Sequence, residues 1–103
     1  MKKKMKTPLE VFHVETTTGE LVKAWRTNFE IPQDQMAFAC GISQANLSAI
    51  ENGRREVGPR IALRFAAYMG LAPDIILYPN GFESEPEFKE VEKRAKKLKE
   101  IAG

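Results

Sequence analysis

Gln33-Asp34-Gln35-Met36-Ala37-Phe38-Ala39-Cys40-Gly41-Ile42-Ser43-Gln44-Ala45-Asn46-Leu47-Ser48-Ala49-Ile50-Glu51-Asn52-Gly53 is the stretch on which the reading of the chain turns. Pro32 stands just before it, and the fixed φ of proline suits the first turn of a helix, where its missing amide hydrogen is not needed. Met36, Ala37 and Ala39 supply a small apolar face. Gly41 stops that helix, because glycine enters a left-handed cap without steric cost. Ser43 offers an N-cap oxygen two residues later, which predicts a further helix from about Gln44 to Glu51, closed by Asn52-Gly53. Two short helices joined through a glycine turn, with Ala37 small enough to let them approach closely, describe a helix-turn-helix unit.

Working outward, Thr17-Thr18-Gly19-Glu20 has capping-box spacing and predicts a helix of about three turns. Val22, Trp25 and Phe29 recur along it as a buried stripe, with Lys23 and Thr27 facing water. On the other side, Pro59 opens a helix that uses Ile61, Leu63, Phe65, Ala66 and Met69 for packing and ends at Gly70. Pro73 then opens a short helix, Asp74 to Leu77, terminated by Pro79-Asn80-Gly81. The expected fold class is therefore all-α, with five helices in a domain over residues 17–81 and an extra C-terminal amphipathic helix over 82–103. Residues 1–16 form an N-terminal arm in which Leu9, Val11 and Val14 give only a weak extended signal. In the C-terminal segment, Ser84-Glu85-Pro86-Glu87 is another capping box. Phe88, Val91, Ala95, Leu98 and Ala102 follow as a stripe of two heptads, with Glu85–Lys89, Glu90–Arg94 and Glu92–Lys96 at helical pair spacing. That stripe can cover its own domain, form a dimer seam or bind a separate protein; two heptads are short for an independent coiled coil.

Composition narrows the classes of function. At 103 residues, 43% apolar and 29% charged, the chain has the makeup of one globular domain. No apolar run follows the Met-Lys-Lys-Lys opening, and none reaches the roughly 18 residues of a membrane span, so no membrane association is expected. Cys40 is the single cysteine and His13 the single histidine, so neither an internal disulfide nor a metal site is expected, and the expected setting is a reducing cytoplasm. Cys40 reads as a small buried hydrophobe rather than a redox sensor, and His13 as a loop residue. The formal charge is +2, but over residues 19–79 six cations meet six anions. Binding to an anionic polymer would depend on local placement of charge rather than on a strongly basic field. The lysine tip, Lys2, Lys3, Lys4 and Lys6, reads as a solvated tail.

The residues from Gln33 to Gly53, with the alanine, the turn glycine, the Ser-Gln helix start and the Glu-Asn-Gly ending in order, resemble the Xre/Cro family of phage-repressor-like regulators, over roughly residues 19–79. That resemblance implies a recognition helix in the major groove of double-stranded DNA, with Ser43, Gln44, Ala45, Asn46, Ser48 and Ala49 toward the bases. The side-chain chemistry suits the assignment. Gln44 and Asn46 carry amides that donate and accept together, as adenine requires; Ala45 can meet a thymine methyl; Ser43 and Ser48 can bond phosphate or base. By the same resemblance Gln33 clamps the DNA backbone, Arg54 and Arg55 contact phosphate, and Arg26 and Glu51 form a structural ion pair. Pro32, where the family often has Ser or Thr, and Glu56, in a loop that is often basic, depart from the family pattern.

The expected function is a sequence-specific transcriptional regulator, a repressor acting as a homodimer on an inverted-repeat operator. The apolar group Ile75, Ile76, Leu77 and Tyr78 is the expected dimer interface, with help from the C-terminal stripe. The alternative is the antitoxin of a type II toxin–antitoxin pair, with the arm and C-terminal helix available to a toxin. No nucleophile–base pair, phosphate loop or paired-carboxylate motif is present, so neither catalysis nor a cofactor is expected.

Overall fold

A computed structural model describes residues 15–102, all of whose regular elements are helical. Helix α1 runs Thr18–Asn28, α2 Gln33–Cys40, α3 Gln44–Glu51, α4 Pro59–Met69 and α5 Pro73–Leu77; a 3₁₀ turn, Phe82–Ser84, leads to α6, Pro86–Ala102. The arm signal at Leu9, Val11 and Val14, the lysine tip and His13 lie outside the described residues.

Local chemistry sets most of the boundaries. Thr17 accepts from the Glu20 amide while the Glu20 carboxylate accepts from the Thr17 amide, so two otherwise orphaned donors of α1 are satisfied. Gly41 ends α2 with φ 73°, and α4 ends the same way at Gly70. Ahead of α6 the expected capping box does not form. The Ser84 hydroxyl donates back to the Asn80 and Gly81 carbonyls, stabilising the 3₁₀ turn instead.

Val22, Met36, Leu47, Ile50, Phe65 and Ile76 are the largest fully buried side chains, so each of α1 to α5 contributes to one core. Several details differ from the sequence reading. Phe29 is not in the buried stripe: it is the C-cap residue of α1 and stands 58% exposed, its ring tilted at 48° against Trp25 with ring centres 4.8 Å apart. Trp25 itself is half-buried against the core. On α2 the inward residue beside Met36 and Ala37 is Cys40, and Ala39 faces out; on α4 it is Ala62, while Leu63 is exposed. Ile76, expected in a dimer surface, lies wholly within the core, and Leu77 packs partly against it. A short helix whose every residue but one is apolar or proline gives no period from which to tell its inner face.

Two contacts close the fold. The Thr18 hydroxyl donates to the Ile76 carbonyl at 2.7 Å, and Thr16 and Asn80 exchange two hydrogen bonds of 2.9 Å, so the start of α1 is tied to the end of α5. Gly19 meanwhile lies directly on the Ile50 carbonyl, with no room for a Cβ between α1 and the end of α3.

No single described helix is long and apolar enough to cross a membrane. Cys40 is buried, and burial pushes its thiol above the ordinary range although the Arg64 charge pulls it down in part. A thiol reagent at neutral pH should therefore label the folded chain at least about tenfold more slowly than the chain in denaturant, since the thiolate is the reacting species. Equal rates would contradict the burial.

Candidate DNA-reading face

The outward side of α3 is set by what its inward side must do. Leu47, Ile50 and Glu51 are buried, which turns Gln44 and Ala45 to the surface, with Asn46, Ser48 and Ala49 at its margins. Ser43 is the N-cap: its hydroxyl accepts from the Asn46 amide at 3.0 Å. The remaining free amides of the first turn point out of the same end, where the helix dipole favours an anion such as phosphate.

Beneath this surface runs a chain of polar contacts from the interior. Arg26 grips Glu51 with two parallel hydrogen bonds, Nε to Oε2 at 2.7 Å and Nη2 to Oε1 at 2.9 Å, and its Nη1 donates to the Ile31 carbonyl at 2.9 Å. The Glu51 side chain is 2% exposed and that of Arg26 12%. The bond to Glu51 raises the guanidinium pKa above its already high ordinary value, against the opposing effect of burial, so the cation stays charged. Gln33 Nε2 then donates to Glu51 Oε1 at 3.1 Å, and Gln44 Nε2 donates to Gln33 Oε1 at 3.2 Å. Gln44, at the exposed start of α3, is thus braced by a side chain from α2, which is itself braced by the ion pair. Gln44 keeps its Oε1 and its second N–H for another partner.

The structure brings Arg26, Gln33, Gln44 and Glu51 into one network and gives Arg55 an unexpected place. Arg55 Nη1 donates to Asn46 Oδ1 at 2.9 Å, folding back over α3, while Arg54 is exposed and has no such tether among the described residues. Asn52 closes the far end of the helix by donating to the Ser48 carbonyl at 2.9 Å.

Arg64 is a residue the sequence reading missed. From α4 its Nη1 donates to the carbonyls of Cys40 and Gly41, each at 3.1 Å, at the negative end of α2. It pins the turn between the two helices from outside the motif. A cation on an exposed helix face gives no local sequence signal of a partner 23 residues away.

A family model described as helix-turn-helix matches residues 22–76. Among solved structures, the chain is similar to the P22 c2 repressor, determined in complex with a synthetic operator: 24% identity, TM-score 0.57, covering 61% of this chain and 96% of that one. It is also similar to the restriction-modification controller protein C.AhdI from Aeromonas hydrophila, with 24% identity and TM-score 0.54 over 57% and 89% of the two chains. A chain of the SinR protein/SinI protein complex aligns over 84% of this chain and 91% of its own length, at 16% identity and TM-score 0.57. At these identities the three share the fold. No curated protein matches the sequence.

Proposed function

The chain belongs to the helix-turn-helix family of DNA-binding transcriptional regulators, and from that premise we propose that it is a cytoplasmic, non-enzymatic repressor that binds an inverted repeat as a homodimer. The observation that carries this reading is the Gln44 amide, held at the exposed start of α3 by Gln33 and free to make two bonds to one base. Ala45 beside it presents a methyl, and Ser43 ahead of it and Arg54 beyond the far end of α3 serve as phosphate contacts. Ile75 and Tyr78, 42% and 40% exposed, are the part of the α5 region available for contact between copies. Such a dimer would set its two reading helices about 34 Å apart, one turn of DNA.

Residues that read bases and residues that hold phosphate leave different thermodynamic marks. Gln44→Ala lowers affinity for the selected operator by about 1–3 kcal/mol while leaving affinity for scrambled duplex and the salt slope nearly unchanged. Arg54→Ala weakens both duplexes and flattens the salt dependence by about one unit. The test selects an operator from random duplexes, then titrates each variant against operator and scrambled DNA at several salt concentrations. An operator-to-scrambled ratio that survives Gln44→Ala would remove Gln44 from base readout.

A further inference from the structure

Helix α6 keeps its apolar stripe uncovered. None of its residues is buried, and Phe88, Val91 and Leu98 are 38%, 59% and 66% exposed. Between it and the 3₁₀ turn lies an apolar groove of about 520 Å³ floored by Tyr78, Phe82, Phe88 and Val91, where Phe82 and Phe88 meet edge to face at 5.2 Å. Glu85, Glu87 and Glu92 also line the groove, giving it an acidic rim.

The charges along this segment are sorted by sign. Residues 83–92 hold five glutamates and one lysine, whereas residues 93–100 hold five lysines or arginines and one glutamate. Within the stripe, Phe88 and Val91 fall in the acidic half and Leu98 in the basic half, with the 79%-exposed Ile101 just beyond it. One end of the helix therefore offers an acid-rimmed apolar groove, and the other offers apolar side chains set among cations. A single helix cannot bring its own two ends together.

We propose that α6 pairs antiparallel with the α6 of a second copy, each basic half lying along the other's acid-rimmed groove. This rests on the dimeric reading above and assigns its seam. Antiparallel pairing about a two-fold axis satisfies both ends at once, as a self-complementary interface requires. Parallel pairing would set glutamates against glutamates and lysines against lysines, and like charges across an interface are repulsive. At 17 residues α6 is about 25 Å long, too short to associate as an isolated coiled coil, so the aromatic groove supplies the anchor. Tyr78 lines that groove and neighbours the exposed Ile75, so the seam runs on into the α5 surface.

The test is sedimentation of the full chain and of two charge-reversed variants, Glu87→Lys with Glu92→Lys, and Arg94→Glu with Lys99→Glu. The wild type sediments as a dimer at micromolar concentration. Each variant alone dimerises roughly tenfold or more weakly, because the altered half then holds three charges of each sign and the attraction at both ends is lost. An equimolar mixture of the two recovers much of the dimer, since one end of the mixed pair sets an unaltered acidic half against an unaltered basic half and the other sets introduced lysines against introduced glutamates. Variants as dimeric as the wild type would overturn the α6 seam and leave dimerisation elsewhere standing, as would a mixture that stays dissociated. A wild-type chain that is monomeric, or that pairs only with a different protein, would overturn both the seam and the homodimer.

Discussion

Arg26→Ala lowers the thermal unfolding midpoint far more than Arg54→Ala does. The deleted guanidinium supplies two hydrogen bonds to Glu51 and one to the Ile31 carbonyl, and the carboxylate it leaves behind is almost completely shielded from water. Stranding a buried charge in this way costs about 3–5 kcal/mol, a large part of the roughly 5–15 kcal/mol that holds a small domain together. Gln33 would remain as a neutral donor to Glu51, which cannot replace a paired cation. Arg54 is exposed and outside any ion pair among the described residues, so its removal should stay within about 0.5 kcal/mol. Thermal melts of both variants measure the difference. Adding Glu51→Leu to Arg26→Ala should return part of the loss, because the stranded charge goes with it. Equal midpoints for the two single arginine variants would sink the structural role of the pair.

Gly19→Ala is expected to destabilise the chain even though alanine is the better helix former. Helix propensity alone favours alanine by up to about 1 kcal/mol. Against this, the added methyl would meet the backbone carbonyl of Ile50, which has no rotamer by which to yield, so α1 and the end of α3 must separate. Overpacking costs about 1–3 kcal/mol, and a collision with backbone belongs at the upper end of that range, leaving a net loss of about 2 kcal/mol. Urea unfolding of Gly19→Ala beside Gly53→Ala separates the causes. Gly53 has open space around its Cβ position but a φ of 75°, so its substitution reports backbone strain without collision. A Gly19→Ala chain as stable as the wild type would show that α1 is free to move away.

What could be read from the sequence was what short-range chemistry decides. Gly41 and Ser43 mark the turn because a left-handed cap and an N-cap each select residue types one or two positions apart. The Thr17–Glu20 box works over three. The Arg26–Glu51 pair, which spans 25 residues, came from the resemblance rather than from spacing. The contacts of Arg64 with the turn and of Gly19 with Ile50 join helices distant in sequence, and neither residue type announces a partner. Helical periodicity located the apolar stripes but not their edges. Phe29 and Leu63 fall on the solvent side of theirs, while Ile76 falls on the inner side of a helix only five residues long.

The outward position of Gln44 and Ala45 bears on how such a chain acquires a new target. Neither side chain packs into the core, so under the base-reading role proposed for them both are interchangeable parts, and a lineage can retune its DNA preference there while the scaffold stands. The freedom is unequal. Ala45 can be exchanged alone, whereas any replacement at Gln44 must also suit the waiting oxygen of Gln33, so drift at one glutamine is coupled to drift at the other. Glu51, anchored to Arg26 and serving Gln33 with the same oxygen, is the fixed post to which that coupled pair is moored.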